Sequence, residues 1–139
     1  INDQGHKEKP YLLHRALFGS FERFIGVLIE HYAGAFPLWL SPEQIWLLPL
    51  GKNHQAFAQK IARYLREQNI RVIVKDADET VGKKIREGET QKIPYLLIIG
   101  DKEVKSNSVA VRQRGKGDLG AMKIEKFLEK IKKEIAEKS

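Results

Sequence analysis

Hydrophobic residues first recur at helical spacing in the segment after Ser20. The apolar positions are Phe21, Phe24, Ile25, Leu28 and Tyr32, and Gly34 is a plausible helix stop. Residues 10–18, ahead of this helix, are apolar and compatible with a strand. Residues 35–42, AFPLWLSP, form a proline-punctuated connector. The connector is therefore the best candidate for a domain boundary.

After the connector, the pattern alternates between strand and helix. Strands are predicted at residues 44–50, 70–74 and 94–99. Three helices are predicted. The first is capped by Asn53 and buries Phe57, Ile61 and Leu65. The second spans residues 79–89 with Val81 and Ile85 facing inward, and the third spans residues 122–137. Residues 101–104 and 109–113 flank the polar turn KSNS as a hairpin. This order predicts an α/β fold with a mixed sheet covered by helices.

The composition suits one domain, or one domain with an appended piece. The chain has 139 residues, 42% of them hydrophobic, and no cysteine. The lack of cysteine excludes a disulfide framework and any thiolate metal site. No apolar run approaches the roughly 18–20 residues of a membrane span, and residues 1–10 are too polar for a signal peptide. We therefore expect no membrane association.

Two features of the sequence suggest that the chain is the C-terminal part of a larger protein. It begins with Ile1, and its only methionine is Met122. It is therefore not expected to be a complete reading frame from an ordinary start.

The charge balance favours a polyanionic partner. The net charge is +7 and the isoelectric point is about 9.6, which favours RNA or DNA. The alternative is a lysine-rich solubilising surface, to which the tail EKFLEKIKKEIAEKS contributes much. Charge alone leaves both interpretations open.

The string HRALFGSFERF, residues 14–24, carries the most specific signal. By spacing alone, Ser20 is a helix N-cap, Glu22 a favourable acid in the first turn, and Arg23 a solvated side chain. Followed by IGVLIEHYAG, however, the string resembles motif 3 of class II aminoacyl-tRNA synthetases, specifically the threonyl-tRNA synthetases. The strings FPLWLSP, VGKKIRE, IPYLLIIGDKEV and VAVRQRGKGDLG extend the resemblance from about Pro10 to the last residues.

The resemblance implies a two-part organisation. Residues 1–36 would be the last strand and helix of the catalytic domain. Residues 37–139 would be an anticodon-binding domain, an α/β fold with a mixed five-stranded sheet flanked by three helices.

The resemblance also implies roles for two residues of the first part. Arg23 corresponds to the motif 3 arginine that contacts ATP phosphate, and a guanidinium can donate twice to phosphate oxygens. His14 corresponds to one of three zinc ligands, the others being a cysteine and a second histidine. The chain has no cysteine, so His14 is expected to be an orphaned ligand. Without the family, a lone histidine beside a strand is more simply a satisfied polar residue.

The cofactors of the full-length synthetase would be Zn²⁺ and ATP with Mg²⁺, and none is expected on this chain. No string matches motifs 1 or 2 of the class. The chain alone is therefore expected to bind tRNA without aminoacylating it.

For the anticodon-binding part, the resemblance matches Arg112 to an arginine that reads anticodon guanine and Glu103 to an acid of the same pocket. A guanidinium can donate to guanine O6 and N7. In a hairpin with KSNS as its turn, one sheet face would carry Glu103, Ala110, Arg112 and Arg114, and the other would carry Val109 and Val111. The alternative is an ion pair on a solvated face.

Five further residues complete the predicted anticodon surface. Contacts to phosphates or flanking bases are predicted for Lys92, Lys84 and Arg86. The resemblance implies base contacts for Asp78 and Glu79, which lie near a helix entrance where the family has base-contacting residues. Asp78 stands where the family has asparagine and Lys92 where it has arginine, and neither replacement makes the same hydrogen bonds. The alternative for all five is a solvated charged surface.

The function predicted from the sequence is recognition of the tRNA(Thr) anticodon stem-loop within a cytoplasmic, homodimeric threonine-tRNA ligase. One alternative is the related domain of a prolyl-, histidyl- or glycyl-tRNA synthetase. Another is a non-enzymatic module that uses the same fold for protein contacts.

Overall fold

The computed structural model describes residues 13, 15 and 19–138. The chain divides into two compact units, and the second begins at Tyr32. Helix α1, Phe21–Tyr32, contains most of the described residues of the first unit. The Arg23 N–H donates to Ser20 Oγ at 3.2 Å, so Ser20 caps the helix as predicted. The predicted strand at residues 10–18 lies almost wholly outside the described residues. The domain boundary after residue 36 stays a prediction.

The second unit alternates strands and helices along the chain. Its elements are β1 (Ile45–Pro49), a 3₁₀ turn (Lys52–His54), α2 (Gln55–Glu67), β2 (Val72–Val74), α3 (Val81–Thr90), β3 (Tyr95–Ile99), α4 (Asp101–Ser106), β4 (Ser108–Gln113), β5 (Gly117–Lys123) and α5 (Ile124–Glu137). Among the described helices, none has the length and apolar character needed to cross a bilayer.

The five strands form one mixed sheet in the order β2-β1-β3-β4-β5. Strand β1 runs parallel to β2 and β3, whereas β3–β4 and β4–β5 are antiparallel. All five residues of β1 are buried, because helices cover both faces of the parallel part. The predicted α/β fold with a five-stranded mixed sheet is confirmed, with the short α4 in addition to three longer helices.

Two apolar cores lie on opposite faces of the sheet. The larger contains Val109 and Val111 of β4 together with residues of α2 and α5, such as Ile61 and Phe127. The smaller lies on the α3 side and consists of Trp46, Leu48, Ile93 and Leu96, with Ile85 and Ile98 packed against it. Alternate residues of β1 and β3 therefore enter different cores.

The predicted hairpin at residues 101–113 is half wrong. Residues 101–106 form α4, because the Glu103 carboxylate accepts a hydrogen bond from the Gly100 N–H at 2.9 Å and Asp101 adds a favourable acid to the first turn. Asn107, at φ 50°, ends the helix. The second predicted arm is correct and lies within β4, whose hairpin partner is β5.

Three predicted helix starts also differ from the structure. Helix α3 begins at Val81 instead of Glu79. Asn53 lies inside the 3₁₀ turn instead of capping α2, which begins at Gln55. The last helix begins at Ile124, because Met122 pairs with Val109 in the sheet.

Candidate nucleic-acid interface

One side of the β4–β5 hairpin is open to solvent beside α3. Ala110 and Arg112 are half-buried on this side, whereas Val109 and Val111 are buried in the opposite core. Ala121, which pairs with Ala110, is exposed. Small side chains therefore leave a shallow platform of backbone and methyl groups next to the helix.

Arg112 lies at the edge of this platform and pairs with the last turn of α3. Its Nε and Nη2 both donate to Glu89 Oε1, at 3.2 and 3.0 Å, and its side chain is 36% exposed. The pair borders a groove of about 240 Å³ that is also lined by Ile93, Leu96, Arg114 and Gly115. The groove offers an apolar floor beside a cation, which suits the face and edge of an unstacked base.

Glu103 does not share a sheet face with Arg112, so that part of the prediction is wrong. It lies on α4, where its Oε2 accepts the Gly100 N–H. Arg112 is opposite Leu96, four residues before Gly100 along β3. The predicted cross-strand diagonal does not exist because the first hairpin arm is helical.

Lys84 is buried with 0% exposure, which contradicts its predicted place on the RNA-contacting surface. Its Nζ donates to the carbonyl of Pro49 at 3.0 Å, joining α3 to the end of β1. Burial lowers the pKa of Lys84, and the carboxylates of Asp76, Glu79 and Asp78 act in the opposite direction. Lys84 therefore supports the surface from inside.

Asp78 and Glu79 are exposed at the entrance to α3, as predicted. Asp78 pairs with Lys52 at 3.2 Å, and Glu79 pairs with Lys83 at 2.6 Å. The hydrogen bond from Lys83 lowers the pKa of Glu79. Both carboxylates face solvent beyond the carboxyl end of β2.

Lys92 and Arg86 are exposed along the same side of the unit. Arg86 lies on α3 itself. Lys92, at φ 58°, follows the end of α3, and its ammonium donates to the carbonyl of Ala33. Both cations are available to an approaching polyanion, so their predicted placement at the surface fits the structure.

Arg114 holds the connector against the end of the sheet. Its guanidinium donates to the carbonyls of Phe36 at 2.6 Å, Ala35 at 3.4 Å and Lys92. Desolvation lowers the pKa of Arg114. This side chain is structural, even though it lines the same groove as Arg112.

The first unit contributes one described candidate, Arg23, which is exposed on α1. His14 lies outside the described residues. Among residues 13, 15 and 19–138, no group of three or more His, Asp or Glu side chains is placed to hold a metal ion. The chain has no cysteine, so it lacks one member of the set of one cysteine and two histidines that the resemblance implies for zinc.

Comparison with known proteins identifies the second unit. Residues 44–134 match the model of the family described as the anticodon binding domain. The chain belongs to this family. Over 138 residues it is 54% identical to a threonine–tRNA ligase of Carboxydothermus hydrogenoformans, and over 139 residues it is 50% identical to one of Caldanaerobacter subterraneus. These matches cover 99% and 100% of the chain but 22% of each relative, so the chain spans about a fifth of the length of the curated relatives it matches.

Solved structures agree with this assignment. The RNA binding domain of threonyl-tRNA synthetase from Cryptosporidium parvum superposes with a TM-score of 0.77 at 30% identity, covering 86% of this chain and 30% of that one. A prolyl-tRNA synthetase from the same organism reaches 0.65 at 20% identity, covering 73% of this chain and 22% of that one, and shows the fold alone. The predicted resemblance to threonyl-tRNA synthetases is confirmed.

Sequence reasoning missed Glu89, which pairs with Arg112 in the anticodon-binding domain. In the sequence, Glu89 is one of several acidic residues on the polar side of a predicted helix. Only the packing of α3 against the sheet brings it next to β4. For Arg114, the sequence predicted the strand face that it shares with Arg112 but not its hydrogen bonds to the connector carbonyls.

Proposed function

We propose that this chain is the tRNA-anticodon-recognising part of a cytoplasmic threonyl-tRNA synthetase, the enzyme that attaches threonine to tRNA(Thr) using ATP. The observation that carries the proposal is the position of Arg112, half-exposed at the edge of the open hairpin platform in a domain of the anticodon binding family. Identity of about half over the whole chain to threonine–tRNA ligases supports the choice of tRNA.

Arg112 is the proposed reader of the central anticodon base. Threonine anticodons share guanine at this position. Guanine presents two acceptors, O6 and N7, to which one guanidinium can donate in parallel. Bases of an anticodon loop are unpaired, so their edges and faces are accessible to a groove such as the one beside Arg112.

The remaining candidates have proposed roles around this base. Arg86 and Lys92 bind loop phosphates as exposed cations. Asp78 and Glu79 accept hydrogen bonds from exposed base edges at the entrance to α3. Glu103 accepts one through Oε1, since its Oε2 is used by the Gly100 N–H. Because phosphate contacts release counterions, the affinity should fall steeply with salt.

Catalysis is proposed to belong to the full-length enzyme, a homodimer, and not to this chain. Arg23 would bind an ATP phosphate there, with Mg²⁺ bound to the nucleotide. His14 would supply one zinc ligand, with the other ligands outside this sequence. The chain incubated with threonine, ATP and tRNA(Thr) should therefore form no threonyl-tRNA. Clear turnover would contradict the proposal that catalysis requires the full-length enzyme.

A direct titration tests the binding proposal. The chain is titrated into two fluorescent anticodon stem-loops that differ only in the central base, guanine or adenine, at one fixed salt concentration. Tighter binding of the guanine loop is expected. Equal affinity would overturn the proposal that the chain reads this base. Absence of RNA binding together with specific binding of a protein would favour the protein-interaction alternative.

A further inference from the structure

We propose that Glu89 is a positioning residue that presents Arg112 to the anticodon guanine, a role that rests on the proposed function above. Glu89 is the last acid of α3 and lies 23 residues from Arg112 in sequence. Its Oε1 accepts hydrogen bonds from Nε and Nη2 of Arg112, at 3.2 and 3.0 Å. Helix α3 therefore fixes the orientation of a side chain that belongs to the sheet.

The geometry of the pair leaves the reading edge of Arg112 available. Arginine has five N–H donors in a planar fork. Glu89 engages the side of the fork formed by Nε and Nη2. The end of the fork, formed by Nη1 and the second N–H of Nη2, can still donate two parallel bonds. This end is the edge that matches O6 and N7 of guanine.

Fixing Arg112 before RNA arrives favours specific binding. An arginine side chain on an open strand samples many rotamers, and ordering it opposes binding. The bond to Glu89 imposes much of that order in the free protein. The groove floor formed by Ile93 and Leu96, which are 7% and 3% exposed, provides an apolar surface for the base.

The charge of Glu89 acts in the opposite direction from its positioning role. A carboxylate at this surface repels the phosphate backbone of any RNA, whatever the base. Removing the charge should therefore raise the affinity for guanine and adenine loops alike. Removing the acceptor oxygen should instead lower the ratio of the two affinities.

Two substitutions separate these effects. Both bonds reach one oxygen, Oε1, so the amide oxygen of Glu89→Gln can accept both while the charge is lost. Glu89→Ala loses the charge and the acceptor. Glu129→Ala is the matched control, because Glu129 is exposed on α5, against the other face of the sheet.

The experiment measures the guanine-to-adenine affinity ratio for the 139-residue chain and its variants. We expect the ratio of Glu89→Gln to match wild type and that of Glu89→Ala to fall about tenfold, within the discrimination that one bidentate arginine supplies. Glu129→Ala should leave the ratio unchanged. A wild-type ratio in Glu89→Ala, or an equal loss in both Glu89 variants, would overturn the positioning role. A wild-type chain without any preference would instead overturn the proposed function, and this role with it.

A second readout covers the case in which Glu89→Ala fails to fold. The Arg112 Nε–H of the free wild-type chain should give an NMR signal protected from solvent exchange. Glu89→Gln should retain that protection. Rapid exchange of the wild-type Nε–H would show that the pair does not hold Arg112 in place, and would overturn the proposal.

Discussion

The ammonium of Lys84 donates a hydrogen bond to the carbonyl of Pro49 at 3.0 Å, and the lysine is buried between α3 and the sheet. A cation inside a protein costs free energy unless it is hydrogen-bonded or paired. Here the cost is offset by the last carbonyl of β1 and by carboxylates beyond the strands. The bond fixes the helix that carries Arg86 and Glu89.

Burial of Lys84 should make stability depend on pH above neutrality. Its pKa in the folded chain lies below the ordinary 10.5, so between the two values the unfolded chain binds more protons than the folded chain. The free energy of unfolding should therefore rise with pH in this range. Lys84→Met removes the titrating group. Urea denaturation from pH 7 to 10 should show wild type gaining stability relative to Lys84→Met, and a constant difference would contradict the assignment.

Gly88 allows α3 to pack closely on the sheet, and its replacement should be destabilising. An added Cβ would lie 2.7 Å from Leu96 Cδ2 and 3.4 Å from Trp46. Gly88→Ala is therefore expected to cost about 1–3 kcal/mol through overpacking. Gly82, on the same helix, has nothing within 4 Å of an added Cβ, so Gly82→Ala should stabilise by up to about 1 kcal/mol. Chemical denaturation of both variants checks the pair, and equal effects would show that α3 does not pack as described.

Arg114 should contribute more to stability than an exposed arginine. Arg114→Ala leaves the carbonyls of Phe36, Ala35 and Lys92 without this donor, and hydrogen bonds to charged groups contribute about 1.5–3 kcal/mol. A loss of about 2–3 kcal/mol is therefore expected. Arg63→Ala, on the exposed side of α2, should change stability by less than about 0.5 kcal/mol. Similar urea midpoints for the two variants would contradict the role of Arg114 as an anchor.

The hydrogen bond between His54 and Asp101 should make the stability of the chain depend on pH in the acid range. His54 is buried, and its Nε2 lies 2.8 Å from Asp101 Oδ1. Its hydrogen bond holds the pKa of Asp101 below the ordinary 3.8, so the stabilisation is present above that value and is lost as pH falls through the folded pKa. Thermal melts from pH 6 to 2.5 should show wild type losing its advantage over Asp101→Asn at the acid end. Parallel melting curves across that range would refute the linkage.

The sequence predicts the parallel core well because its signals are strong. Residues 44–50 and 94–99 are nearly continuous apolar runs, as expected for strands covered on both faces. In α2, Ile61 and Leu65 repeat at helical spacing and are buried as predicted. The number of strands in the sheet, five, is predicted by the resemblance to threonyl-tRNA synthetases and not by periodicity.

The errors cluster where local chemistry overrides a weak pattern. Glu103 caps its own helix, so a segment that looked like a hairpin arm is helical. Strand β5 was missed because Gly117 and Gly120, both at positive φ, interrupt its alternation. Lys84 occupies an inward helical position that pattern reasoning gives to apolar residues. For Glu103 and Lys84 the deciding partner is a backbone group, which side-chain periodicity does not reveal.

The central claim is that the guanidinium of Arg112 recognises the central guanine of the anticodon. The most direct test compares wild type, Arg112→Ala and Arg63→Ala in binding to guanine and adenine stem-loops. Arg112→Ala should weaken binding of the guanine loop by about 1–3 kcal/mol and bring the two affinities together. Arg63→Ala, which removes the same charge from the other face of the sheet, should keep the preference. An Arg112→Ala chain that still prefers guanine as strongly as wild type would contradict the claim.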